Sequence, residues 1–218
     1  SHFPPGYQDY FSPADACSDI KFLSELSRDN PLVLDMYQAE IDGTSFVKFK
    51  LFHWENALPL SDVIPILENL GARTVAAYPY KLKIGVDRIW IHDFVLQFVQ
   101  SPAVDLAKVK VIFQEAFQEI WRQGQENDSF NRLIPTATMH YREVIVIRAY
   151  SRYFGQIQST YSQQYIAECL TKYSLITRLL FALFEIRFDP KLEDCFLSEA
   201  EVSYDFSNQK LERIVQER

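Results

Sequence analysis

The sequence predicts an α+β chain in which an antiparallel sheet packs against helices and is followed by an α-helical block. Three observations carry this. Four extended runs rich in β-branched and aromatic residues lie between residues 32 and 98. Two amphipathic helical patterns, at 61–70 and 109–123, interrupt and follow them. After Gly124 strand-like alternation stops, and residues 129–190 carry one glycine, Gly155.

Residues 1–31 hold four of the ten prolines and read as an N-terminal arm. It contains a short helix between Pro13 and Leu26, with Ile20, Leu23, Cys17 and Leu26 facing inward; the rest of the arm is irregular. Leu32 to Glu40 and Phe46 to Trp54 read as extended, and Ile41-Asp42-Gly43-Thr44-Ser45 supplies the Asp-Gly turn of a hairpin. In the second run Val47, Phe49 and Leu51 alternate with Lys48 and Lys50, the period of a half-buried strand.

Ser61 is a good N-cap for the next helix. Val63, Ile64, Ile66, Leu67 and Leu70 form its apolar face, and Gly71 suits its left-handed end. Pro65 falls in the first turn, where a missing donor costs little. Two strands follow, Arg73 to Leu82 and Arg88 to Phe98, joined by a loop containing Gly85. Val109, Ile112, Phe113, Ala116, Phe117, Ile120 and Trp121 then recur at helical spacing, and Gly124 closes that helix. Strand–helix–strand–strand–helix over 46–123 gives five of the six elements of a split β-α-β, or ferredoxin-like, unit. The final strand is not evident, and the hairpin strand at 32–40 is the candidate for its place.

Beyond Gly124, Tyr141 to Gln156 and Ser162 to Phe188 read as helices, and Asp189-Pro190 ends the second. Ser198 and Glu201 form the capping-box signature of one more. The expected division is an arm over 1–31, a ferredoxin-type domain over 32–125 and a helical connector over 126–218.

Several function classes are disfavoured. The six glycines lie more than ten residues apart, so no G-x-G-x-x-G turn, phosphate loop or G-x-S-x-G elbow exists in the 218 residues. A net charge of −7 lacks the footprint of a nucleic-acid binder. Three unpaired cysteines suit a reducing, cytoplasmic setting. The longest apolar stretch, Ser174 to Phe188, is broken by Arg178, Glu185 and Arg187, so no membrane partner is expected. No signal peptide opens the chain, and a first residue other than Met points to an excised segment.

Candidate chemistry is sparse. His2, His53, His92 and His140 are dispersed, and only His53 and His92 can meet, on neighbouring strands; no metal site is expected. Cys169 reads as a small hydrophobe on a helix face. Glu143 with Arg148, and Arg187 with Asp189, are candidate structural ion pairs. Tyr141, Tyr150, Tyr153, Phe154, Tyr161, Tyr165 and Tyr173 form a dense aromatic run that reads either as a partner surface or as helix packing.

Longer strings go further. Leu58-Pro59-Leu60-Ser61-Asp62-Val63-Ile64-Pro65-Ile66-Leu67-Glu68-Asn69-Leu70-Gly71 resembles a segment of the large bacterial NAD-specific glutamate dehydrogenases. Glu126-Asn127-Asp128-Ser129-Phe130-Asn131-Arg132-Leu133-Ile134 and Tyr141-Arg142-Glu143-Val144 continue the likeness. So do Arg148-Ala149-Tyr150-Ser151-Arg152-Tyr153 and Leu183-Phe184-Glu185-Ile186-Arg187-Phe188-Asp189-Pro190, all in matching order. Tyr141 stands where that family usually has tryptophan, and Gly155 interrupts a helix.

The resemblance implies a parent chain of well over a thousand residues that oxidises L-glutamate with NAD and assembles as a homo-oligomer. Residues 46–123 resemble its last ACT-like module, and the helices resemble the connection toward the catalytic part. No catalytic residue, metal or cofactor site carries over to this segment, which is expected to be inactive alone. NAD belongs to the parent, and the partners are the rest of that chain and other subunits. Arg142, Glu143, Arg148, Tyr150, Tyr153, Arg187 and Asp189 are the structural or interface candidates. Two alternatives stay open: an amino-acid-sensing module with a site at Asn56, Leu58 and Ser61, and a free-standing interaction domain. The loop Glu55-Asn56-Ala57-Leu58-Pro59 has no glycine, so its backbone approaches a ligand less freely.

Overall fold

Alternation and turn chemistry place four strands in one sheet. The structure is a computed structural model and describes residues 3–41, 43–84, 87–98, 105–157 and 160–188. Asp189, Cys195 and the helix start expected at Ser198 lie outside the described residues. The chain divides into two compact units, Ser1–Tyr141 and Arg142–Arg218.

In the first unit β1 (Leu32–Ile41) and β2 (Thr44–Trp54) form a hairpin closed at Ile41↔Thr44, with Gly43 at φ 74°. A positive φ is what glycine supplies to so tight a turn. Helix α3 (Leu60–Asn69) leads to β3 (Ala72–Ile84), and β4 (Asp87–Phe98) returns between β3 and β2. The order is β1-β2-β4-β3, antiparallel throughout. A strand following α4 would cross β2 and lie beyond it, by the symmetry of the split β-α-β unit. The hairpin strand β1 holds that position. Pro79 is accommodated because β3 is an edge strand.

Two helical layers cover the sheet. On one side lie α3 and α4 (Leu106–Gln123), whose Phe113 and Phe117 meet Phe49 at ring distances of 5.6 and 5.3 Å. Burying such a ring contributes about 2–3 kcal/mol. Asp105 caps the start of α4, and Gly124 ends it at φ 60°. Gly71 closes α3 at φ 79°. The N-cap of α3 is Pro59, not Ser61; Ser61 sits within the first turn and its hydroxyl donates to Asp62.

On the other side the N-terminal arm is ordered helix. It comprises α1 (Pro5–Tyr10) and α2 (Pro13–Glu25), the latter started by a capping box between Ser12 and Asp15. Tyr7, Leu23 and Leu26 pack with Val33, Phe52, Tyr80, Leu82, Ile89 and Ile91. The expected inward register of α2 is corrected: Ile20 and Cys17 are exposed, while Asp19 and Leu23 are buried. The sheet is therefore covered on both faces, and Lys50 is buried rather than solvated.

A 3-10 turn over Ser129–Arg132 and α5 (Leu133–Ala137) complete the first unit. The second is built from α6 (Tyr141–Gln156), α7 (Gln163–Lys172) and α8 (Ser174–Phe188). The single long helix expected over 162–188 is two, broken at Tyr173.

Candidate functional site

The loop after β2 is held by its own backbone. Glu55 takes a left-handed φ of 64°, and its amide donates to the Arg88 carbonyl at 2.7 Å. A His53 ring nitrogen lies 2.8 Å from the Asn56 carbonyl. Asn56 and Ser61 are exposed, whereas Leu58 is buried. His53 and His92 are diagonal neighbours on one sheet face, since Leu51 pairs with His92 and His53 with Trp90. Burial, with His53 adding to it, pushes the His92 imidazole down to about 4. It stacks between Trp90 and Phe94, a packed neutral ring rather than a ligand. Among the described residues no group of three His, Cys, Asp or Glu side chains converges as a metal site would.

The opposite face of the sheet carries a buried polar cluster that the strand's alternation hid. Lys50 Nζ donates to Asp19 Oδ2 and Oδ1 at 2.8 and 2.9 Å, and the Tyr7 hydroxyl donates to Asp19 at 2.6 Å. Lys50 Nζ also stands 4.0 Å from the centre of the Phe11 ring. Beside them Lys48 reaches Asp93 at 2.6 Å, yet Asp93 Oδ1 is buried without a hydrogen-bond partner. Burial raises the Asp93 carboxyl despite Lys48. Burial and Asp19 together raise the Tyr7 phenol, which stays protonated. Tyr7 of α1 and Asp19 of α2 meet Lys50 of β2 in this cluster, so it ties the arm to the sheet. The one sequence signal that could have found it is the pair of lysines inside an apolar strand.

In the second unit Glu143 accepts from Arg178 at 2.6 Å, tying α6 to α8. Arg148 is buried in the middle of α6, and Arg142 is exposed. Tyr150, Tyr153 and Arg187 are exposed as well, but only Tyr150 and Arg187 face a common feature. That feature is an apolar groove of about 600 Å³, lined by Ile147, Tyr150, Phe154, Leu183, Phe184 and Phe188 among others. Tyr150 meets Phe184 edge-on at 5.7 Å within it. Arg187 is the charged side chain of its wall. Contiguous open apolar surface of this kind is characteristic of interaction sites and ligand-binding grooves.

Comparison with known proteins gives two family models. One, described as the ACT3 domain of glutamate dehydrogenase, matches residues 31–109. The other, helical motif 3 of glutamate dehydrogenase, matches residues 125–190. The chain is 44% identical over 188 residues to the NAD-specific glutamate dehydrogenase of Halomonas elongata, covering 86% of this chain. It is 42% identical over 187 residues to that of Pseudomonas aeruginosa, and 29% identical over 197 residues to that of Mycobacterium tuberculosis. It spans about 12% of the length of each of these relatives.

Proposed function

Because the chain belongs to the family of NAD-specific glutamate dehydrogenases, carrying its ACT3 domain and helical motif 3, we propose that it is a non-catalytic scaffold within such an enzyme. The parent reaction is the oxidation of L-glutamate by NAD and water to 2-oxoglutarate, ammonium and NADH in the cytoplasm. The proposed division is arm 1–31, ACT-like domain 32–125 and helical connector 126–218, the last reaching the catalytic part and other subunits of a homo-oligomer.

The observation that carries this reading is the sheet's closure. A ligand-binding or dinucleotide fold needs an accessible crevice, usually where parallel strands diverge and a glycine-rich turn lets phosphate approach. Here all neighbours are antiparallel, both faces are covered by helices, and α3 opens on Pro59 without glycine. The absence of a glycine-rich turn at the start of α3 supports a cofactor site elsewhere in the parent. Exposure of Asn56 and Ser61, with Leu58 turned into the core, supports the scaffold reading over amino-acid sensing. Among the described residues no helix is long and apolar enough to cross a membrane.

The 218-residue chain, assayed with L-glutamate and NAD, should produce no NADH absorbance. Turnover would overturn the reading. Calorimetric titration with amino acids should be silent, and saturable binding that an Asn56→Ala or Ser61→Ala change abolishes would favour the sensor.

A further inference from the structure

The α6–α8 groove lies open, and the described chain leaves α8 at its edge, since Arg187 and Phe188 line it. We propose that this groove is the docking site of the chain's own residues 189–206. The inference goes beyond the scaffold reading and does not depend on the parent reaction.

Three observations converge on this occupant. Position is the first. Residue 189 follows directly on the groove wall, so the segment is delivered at the millimolar effective concentration of a short tether. Eighteen residues span up to about 60 Å when extended, while α8 is about 22 Å long, so the segment can turn back along the whole groove.

Charge is the second. Residues 142–188 carry six basic and three acidic side chains, whereas 189–206 carry one basic and six acidic ones. Arg187 stands in the groove wall, where an acidic apolar segment would meet it. The 142–188 part of a second copy would bring six basic and three acidic side chains against the same set, and like charges oppose that pairing.

Apolar content is the third. The segment carries Phe196, Leu197, Val202, Tyr204 and Phe206. Facing them are side chains left about half exposed, including Phe154 at 47% and Leu183 at 44%. Covering several such groups at roughly 25 cal/mol per Å² exceeds the modest closure cost of so short a loop.

Cys195 within the segment provides the test. In the 218-residue chain with Cys17→Ser and Cys169→Ser, a single cysteine is placed in the groove (Tyr150→Cys or Phe154→Cys). A matched control is placed on the same helix outside the groove lining (Tyr153→Cys or Arg152→Cys). Loop lengths to Cys195 are nearly equal, so only the helix face differs. In a glutathione redox buffer, mass spectrometry should find the intramolecular disulfide forming at least tenfold faster from one groove position than from either control. The rate should not depend on protein concentration. Changing Glu193, Asp194, Glu199 and Glu201 to their amides should narrow the ratio several-fold.

Rates within twofold for all four positions would overturn the proposal. So would disulfide-linked dimers that rise with concentration, which would place a second copy in the groove. Glutamate turnover by this chain would sink the non-catalytic reading and leave the disulfide ratio unaffected.

Discussion

Lys50 and Asp19, on a central strand and on the helix that crosses it, form a two-pronged ion pair at 2.8 and 2.9 Å with both side chains almost shut off from water. The pair fixes which face of α2 turns inward. It also makes the arm sensitive to loss of either partner, because a lone buried charge keeps its desolvation cost and loses its compensation.

Asp19→Ala should therefore destabilise the first unit by about 3–5 kcal/mol in urea unfolding. Asp19→Leu combined with Lys50→Met should recover most of that loss. Equal instability of the single and double variants would show that packing, and not the charge pair, holds α2.

Tyr7→Phe removes one buried donor to Asp19 while leaving the ring contacts with Phe3 and Phe11 in place. A loss of about 1–2 kcal/mol is expected, measured by thermal unfolding of the same chain. No change would mean that the hydroxyl is replaceable by solvent.

His92 makes stability depend on pH. Its folded value, about 4, lies below the ordinary 6.5, so the unfolded chain takes up its proton first as pH falls. The neutral ring's contribution is fully present above pH 6.5 and is lost as pH falls through about 4, amounting to about 3 kcal/mol. Asp93 acts in the opposite sense, because burial raises its carboxyl. His92→Phe should therefore flatten the decline between pH 7 and pH 4.5 relative to the parent sequence. Parallel stability curves for the two proteins would contradict the assignment.

Gly71 ends α3 at φ 79°, and a Cβ there would find only ordinary contact, the nearest atom being a Pro135 side-chain carbon at 3.5 Å. The cost of Gly71→Ala is then conformational, about 1–2 kcal/mol. Gly71→Asn, which tolerates the left-handed region better, should cost less. The ordering of the two unfolding midpoints checks the cause.

Much of the sheet unit was legible because its local signals agree. Asp42-Gly43 marked the hairpin, Gly71 and Gly124 marked helix ends, and the spacing of Phe113, Ala116, Phe117 and Ile120 marked the core face of α4. The arm was less legible because its register is set at long range. Asp19 turns inward to reach Lys50, 31 residues away, while Ile20 beside it stays exposed. Lys48 and Lys50 looked like a solvated face, since alternation reports polarity and not what covers it. The break at Tyr173 was hidden for a similar reason. Apolar residues continue through it, while Thr177 bonds back to the Leu170 carbonyl at 2.7 Å and settles the joint. The candidate surface was half visible: Tyr150 and Arg187 face the groove and Tyr153 does not. The partition of tyrosines between faces depends on helix packing that periodicity alone leaves open.

The position of β1 bears on the order in which the molecule is made. Its neighbour β2 follows after a two-residue turn, and the last strand of the sheet ends at Phe98. Among the described residues no strand returns to the sheet after α4. A nascent chain emerging from the ribosome thus holds its arm and all four strands before any of α6 to α8 is synthesised. It needs only α3 and α4 to cover the second face. The sheet unit can close vectorially, N-terminus first, and it needs no residue of α6 to α8 to do so.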